Sequence, residues 1–177
     1  MSGESALVTG GAGFIGSHLV DGLLARGDRV RVLDNLLDQA HPTGEPVNVS
    51  EEAEFVLGDV RDREAVDAAL EGVDVVYHLA GMVGNGQSMF DVRRYIDGNA
   101  TGTATLIEAM AARKGRVRRH VMASSMVVYG DGAYTCPEHG LVPTVERPEA
   151  RLAAGSWEPI CPACGAEVCP APTREDH

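Results

Sequence analysis

Lysine is almost missing from this chain: Lys114 stands alone among 177 residues, and arginine carries nearly all the positive charge. With 26 acidic against 15 basic residues the formal net charge is -11, which excludes broad nucleic-acid binding, because phosphate contacts are made chiefly by Lys and Arg. A single phosphate pocket stays open. Long apolar runs are missing too. None approaches the roughly 18 residues of a membrane span, and the N-terminal MSGESALVTG lacks the charged stretch and apolar run of a secretory signal, so the expectation is a cytoplasmic protein without membrane contact. Cysteine is absent until Cys136. All four thiols, Cys136, Cys161, Cys164 and Cys169, fall in the last 42 residues, and in a reducing compartment such clustering favours a metal over disulfides.

What remains is ordinary globular content, 44% hydrophobic and 23% charged, at a length that suits one domain. Short apolar strands alternate with amphipathic helix-length stretches. SALV (5–8), RVRVLD (29–34), EFVLG (54–58), DVVYHLA (74–80) and RHVMASS (119–125) read as strands. Between them, FIGSHLVDGLLARG (14–27), DREAVDAALEG (62–72) and a long stretch over 88–115 read as helices, and 35–52 is a polar loop. Repeated βαβ units with buried strands imply an α/β fold: a Rossmann-like, doubly wound parallel sheet of five strands, incomplete as such sheets go. Past Gly130 the composition changes, and residues 131–177 hold seven of the nine prolines and every cysteine. Residues 1–130 are therefore expected to form one unit, and 131–177 an irregular, zinc-ribbon-like appendage.

TGGAGFIG (9–16) follows a strand and opens a helix, the context that gives glycine spacing a meaning. Gly10 permits the tight turn, Gly13 allows main chain to approach a pyrophosphate, and Gly16 allows close helix–strand packing. The free N–H groups and dipole of the helix start, around Phe14 and Ile15, favour that anion. The pattern also reads as G-x-G-x-x-G through Gly11, and a tight turn that binds nothing uses the same residues. Asp34, ending the second strand with Asn35 after it, can accept from a ribose and repels a 2′-phosphate, favouring NAD over NADP. Asp59 and Val60 in GDVRD sit where an adenine is expected, and Asp62 reads as a helix N-cap.

CPEHG (136–140) and CPACG (161–165) repeat C-P-x-[CH]-G. Such turns aim main-chain N–H groups at sulfur while two ligands converge, so Cys136, His139, Cys161 and Cys164 form a candidate closed tetrahedral zinc set. Four protein ligands leave no open position, which favours a structural role. Cys169 is a spare that can replace a ligand.

TGGAGFIGSHLV, VLDNL, GDVRD, YHLAG, DGNATGT and SSMVVYG occur here in the order found in extended short-chain dehydrogenases, so residues 5–130 resemble the NAD-dependent sugar-nucleotide epimerases and dehydratases. The resemblance implies that Leu79, Ala80 and Gly81 line the cofactor and that Asn99 fixes the central helix near the nicotinamide. It implies that Ser125 is the catalytic hydroxyl facing the oxidised sugar oxygen, usually at C4, and that pairing through the helix at 88–113 gives a homodimer. Some bacterial relatives carry a comparable cysteine-rich insertion after SSxxVYG. His78 and Tyr77 read as core-lining.

The family's base is a tyrosine whose phenolate is stabilised by a lysine four residues on, because a free phenol titrates near pH ~10. Four residues after Tyr77, Tyr95, Tyr129 and Tyr134 stand Gly81, Asn99, Ala133 and Glu138, and Met110 precedes Lys114 by four, so no Y-x-x-x-K exists here. The expectation is the N-terminal portion of an epimerase or dehydratase, ending before its base and inactive alone. A small NAD-binding module with a partner-binding zinc ribbon, or half of a split enzyme, are the alternatives.

Overall fold

The computed structural model describes residues 3–142 and 147–175. The chain forms two compact units that divide between Ala123 and Ser124. In the first, β1 (Ser5–Thr9), β2 (Arg29–Asp34), β3 (Glu54–Leu57), β4 (Val75–His78) and β5 (Arg119–Met122) form a five-stranded sheet in the order β3-β2-β1-β4-β5. Every pairing is parallel.

Side chains alternate across a strand, so each strand feeds both faces. Ala6, Val8, Val30 and Val32 join Val20 and Leu23 of α1 (Phe14–Ala25) in one core. Leu7, Leu33 and Val76 point to the other face and meet Val66 and Ala69 of α2 (Arg63–Ala69). Full burial of each such aliphatic side chain stabilises by about 1.5–3 kcal/mol. Gly27 (φ 91) ends α1, with Asp28 N–H returning to the Leu23 carbonyl. Asp62 caps α2, accepting from Glu64 N–H at 2.9 Å and Ala65 N–H at 3.4 Å.

The stretch expected as one helix over 88–115 is broken. It comprises α3 (Asn85–Ser88), α4 (Val92–Ile96), a π-helical turn (Asp97–Thr101) and α5 (Gly102–Ala112), whose Leu106 and Ala109 complete the core against α2. The wide turn carries one extra residue, and side chains take up the main-chain groups around it: Thr103 Oγ1 donates to the Asn99 carbonyl at 2.7 Å and Thr105 Oγ1 to Thr101 at 3.0 Å. Gly102 lets α5 approach β3's end, for a Cβ there would lie 2.6 Å from Val60 Cγ2. β5 is an edge strand, exposed along its whole length.

The second unit is more regular than its composition suggests. β6 (Ala133–Cys136), β7 (Gly140–Val142) and β8 (Cys169–Ala171) form an antiparallel sheet in the order β7-β6-β8, accompanied by α6 (Glu149–Ala153). Strands of three or four residues interrupted by cysteine turns are too short to register as a periodic pattern. The core here is Tyr134, Cys136, Val142, Cys161 and Val168. No helix among the described residues is long and apolar enough to cross a membrane.

Candidate functional site

A cleft lies over the C-terminal ends of β1, β2, β3 and β4, where the order of an open α/β sheet leaves a crevice. Gly10 makes the turn out of β1 with φ 71, and a Cβ on it would lie 2.6 Å from the Ala80 nitrogen. No L side chain fits that position comfortably. Gly16 is equally constrained by its neighbour: a Cβ would lie 2.2 Å from the Gly10 carbonyl oxygen. The turn thus brings α1 hard against its own entrance.

Gly13 is the N-cap of α1, with no side-chain capping bond among the described residues, and the first bond into the helix is Ser17 N–H to the Gly13 carbonyl at 2.9 Å. Phe14, Ile15 and Gly16 consequently lack intrahelical acceptors for their N–H groups. The first turn carries no acidic residue to compete with an anion. Gly10 and Gly13 line the cleft; Phe14 and Ile15 are exposed beside it and Gly16 is buried behind it.

Asp34 enters from the end of β2. Its carboxylate is buried, accepting from Ala12 N–H at 3.0 Å and Leu36 N–H at 2.9 Å, and His41 Nε2 lies 3.8 Å away. Next to it, Asn35 Nδ2 donates to Asp59 at 3.0 Å, and Arg61 grips the same carboxylate through Nε at 2.9 Å and Nη2 at 2.7 Å. The Arg61 side chain, outweighing partial burial, holds the Asp59 carboxyl down at about 2. Asp34, Asn35, Asp59 and Val60 all line the cleft.

Leu79, Ala80 and Gly81 continue from β4 along the opposite wall. Asn99, in the π-helical turn, does not line the cleft but clasps that wall: its Oδ1 accepts from Met82 N–H at 2.6 Å and its Nδ2 donates to the Met82 carbonyl at 3.1 Å. The same cleft is lined by Leu37, Ala40, His41, Arg61, Met82, Arg94 and Gly98, which sequence reasoning did not single out. His41 had a readable signal, since it follows Asp34 within one loop and is the only histidine there. Arg94 and Gly98 had none, because the break in the helix at 88–115 decides where they point.

In the second unit, Ser125 caps a 3₁₀ turn (Met126–Tyr129), its Oγ accepting from Val127 N–H at 3.2 Å. The same unit brings Cys136, His139, Cys161 and Cys164 together, their ligand atoms all within 4.8 Å of one another. Cys136 Sγ lies 3.6 Å from His139 Nδ1 and 3.7 Å from Cys164 Sγ, and Cys161 Sγ is 3.7 Å from His139 Nδ1. A tetrahedral ion with bonds of about 2.3 Å to sulfur and about 2.0 Å to nitrogen sets edges of ~3.8 Å and ~3.5 Å, close to these three distances, so the four residues could hold a metal ion. The amides of Cys164 and then Ala163, opposed by burial, hold the Cys161 thiol below its ordinary value. Cys169 stands outside the four, exposed on β8.

Residues 6–149 match the model of the NAD dependent epimerase/dehydratase family. The chain is 38% identical over 161 residues to a dTDP-L-rhamnose 4-epimerase of Burkholderia thailandensis, covering 89% of this chain and 44% of that protein. It is 39% identical over 130 residues to a UDP-glucose 4-epimerase of Klebsiella pneumoniae, covering 71% of this chain and 91% of that one. Among solved structures, a UDP-glucose 4-epimerase of Thermus thermophilus in complex with NAD superposes with a TM-score of 0.62 at 39% identity, over 82% of this chain and 42% of that one. The chain spans about two fifths of the length of most curated relatives it matches. With a parallel sheet in the order β3-β2-β1-β4-β5 and the glycine turn at its crevice, the chain belongs to the NAD dependent epimerase/dehydratase family.

Proposed function

We propose that this chain binds NAD and serves as the cofactor-holding part of a sugar-nucleotide epimerase or dehydratase acting at a hexose carbon, C4 in the epimerase case. The observation that carries this is the crevice in which the uncapped start of α1, the left-handed Gly10 turn and the buried Asp34 carboxylate converge. They suit the three parts of an adenosine diphosphate: Gly13, Phe14, Ile15 and Gly16 the pyrophosphate, Asp34 and Asn35 the ribose, Asp59 and Val60 the adenine. Leu79, Ala80 and Gly81 take the remaining half, with Asn99 holding their wall in place through Met82. A bound nicotinamide supplies reversible hydride exchange. A 2′-phosphate beside Asp34 meets a buried carboxylate, so NAD is preferred to NADP.

Ser125 is assigned the hydroxyl that hydrogen-bonds the reacting sugar oxygen. The base has to come from residues outside these 177, because no tyrosine here has a lysine four positions on. The relatives named for UDP-glucose and dTDP-L-rhamnose support a nucleoside-diphosphate hexose as substrate. We assign cofactor binding to residues 1–130 and a structural zinc, held by Cys136, His139, Cys161 and Cys164, to 131–177. Exposed Phe90, Ile96 and Ile107 support a homodimer built through 88–113. A cytoplasmic location and no nucleic-acid partner complete the reading, the latter supported by the charge of -11.

The test is calorimetric titration of the purified chain with NAD and NADP, followed by assay of UDP-glucose and dTDP-L-rhamnose turnover. NAD binding without turnover is expected, with turnover appearing when a chain carrying the Tyr-x-x-x-Lys pair is added. Absence of NAD binding refutes the cofactor reading, and turnover by the chain alone refutes the assignment of the base.

A further inference from the structure

The catalytic reading leaves one buried polar chain unused. Thr9 and His78 sit side by side in the β1–β4 register, both withdrawn from solvent. Thr9 Oγ1 is 2.7 Å from His78 Nδ1, and His78 Nε2 is 2.8 Å from Thr103 Oγ1. Thr103 Oγ1 lies 2.7 Å from the Asn99 carbonyl, and at the other end the Ala80 amide reaches Thr9 Oγ1 at 3.3 Å.

One end of this chain sets the direction of the rest. A carbonyl only accepts, so Thr103 spends its proton on Asn99 and must accept from His78, which therefore carries its proton on Nε2. In the neutral ring Nδ1 is then an acceptor, filled by the Thr9 hydroxyl, and Thr9 in turn accepts from Ala80. Each hydroxyl gives once and receives once, in one sense from Ala80 to Asn99. A charged ring would turn Nδ1 into a second donor to Thr9 and strand the Thr9 proton. Burial, with His120 as a secondary like-charged neighbour, keeps the ring neutral by lowering His78 to about 4.

The chain's two ends return to one segment. Ala80 is tied through Thr9, and Met82 is tied by the Asn99 side chain, whose main-chain carbonyl takes the Thr103 hydroxyl. Leu79–Met82 is a wall of the cleft, and its Ala80 nitrogen is the atom against which the Gly10 turn is seated. We infer that His78 is a positioning residue: as the Nε2–H tautomer it links β1 to the π-helical turn and thereby sets the cleft wall at Leu79–Met82 against the glycine turn. Its effect on cofactor affinity rests on the NAD reading above; its effect on the wall does not.

The first test needs no variant. In the whole chain with ¹⁵N-labelled histidine, the His78 ring nitrogens are read at neutral pH, assigned by through-bond correlation to the residue's own backbone. An unprotonated Nδ1 and a protonated Nε2 are expected; the opposite tautomer or a charged ring overturns the relay. The second is Thr103→Val, which keeps the side-chain shape and removes the hydroxyl, beside Thr103→Ser, which restores it. Thr103 bonds Asn99 directly, so Met82 hydrogen exchange is read in His78→Leu as well: a Thr103–Asn99 bond acting without the ring leaves Met82 unmoved there, whereas the relay quickens it. The relay predicts exchange at Met82 faster by about 10-fold in Thr103→Val, with wild-type behaviour in Thr103→Ser. Unchanged exchange at Met82 overturns the inference. NAD affinity falls about 10-fold in parallel. If the wild-type chain binds no NAD, the cofactor reading fails while the ring tautomer and Met82 exchange still decide the relay.

Discussion

Two glycines of α1 make a paired experiment, because alanine at each has opposite consequences. Alanine is the better helix former by about 1 kcal/mol, so Gly22→Ala, on an exposed turn with nothing within 4 Å of the new Cβ, should stabilise the chain by about 0.5–1 kcal/mol. Gly16→Ala gains the same propensity but places its Cβ 2.2 Å from the Gly10 carbonyl oxygen, 2.7 Å from the Gly11 Cα and 2.9 Å from the Gly10 carbonyl carbon. All three are main chain, with no flexible end to swing aside. To restore contact distance α1 must withdraw by about 1 Å, and such overpacking costs about 1–3 kcal/mol or more. The propensity gain cancels between the two variants, so they should differ by the overpacking cost of about 1–3 kcal/mol or more, about 0.5–1.5 M in urea midpoint at an m of about 2 kcal/mol/M. The assay is urea unfolding followed by far-ultraviolet circular dichroism, with NAD titration of the folded variants. Gly22→Ala should bind NAD as the wild type does, and Gly16→Ala at least about 10-fold more weakly, because the displaced helix start is the pyrophosphate site. A Gly16→Ala midpoint at or above the wild type's would refute the argument from close packing.

Acid should weaken the first unit through His78. Its ordinary value of 6.5 falls to about 4 on folding, so the unfolded chain protonates first as pH drops; the contribution is intact above pH 6.5 and is lost between there and pH 4. That amounts to about 2 kcal/mol after allowance for partial screening, and a His78→Gln variant whose urea midpoint falls just as steeply between pH 7 and 4.5 would contradict it. Zinc should purify with the chain at one ion per molecule and be lost in Cys161→Ser; a chelator should then melt the unit containing Trp157, read by its fluorescence. A metal-free chain with an unchanged melt in chelator disproves the zinc assignment. Asp34→Asn should weaken NAD binding by about 10-fold and narrow the preference over NADP, since a charged acceptor is replaced by a neutral amide. An unchanged ratio of the two affinities counts against Asp34 as the discriminating group.

The parts of this molecule that were legible in the sequence are those decided by neighbours in the chain. β2 was readable as RVRVLD because alternate residues serve two cores, and the glycine turn because strand, turn and helix follow one another within a dozen residues. The paired C-P-x-[CH]-G turns exposed the cysteine cluster for the same reason, as each turn sets its own two ligands. The break between residues 88 and 102 was not readable. Residues on both sides keep helical character, and what accompanies the wide turn is the pair of bonds between the Asn99 side chain and Met82, whose partners meet only once the segment after β4 packs against the helix. His41 stood out as the one histidine of its loop, but its burial did not: it lies in an aperiodic polar segment that folds back over Asp34. The small sheet of β6, β7 and β8 escaped because its strands are too short to show alternation.

The placement of β1 between β2 and β4 also has a consequence for how the chain is made. Ser5 pairs with Arg29, but on its other side Ala6 waits for Val75. A strand that leaves the ribosome ahead of both its neighbours is thus covered on both edges only after β2 already is, since β3 precedes β4 in the chain. At synthesis rates of about 5–20 residues per second, Ala6, Leu7 and Val8 stay half-paired for roughly 2–9 seconds while the residues between their partners on β2 and β4 emerge. The Gly10 turn cannot settle before Ala80 arrives to seat it, so the nucleotide grip, though translated well before its seat, is assembled late.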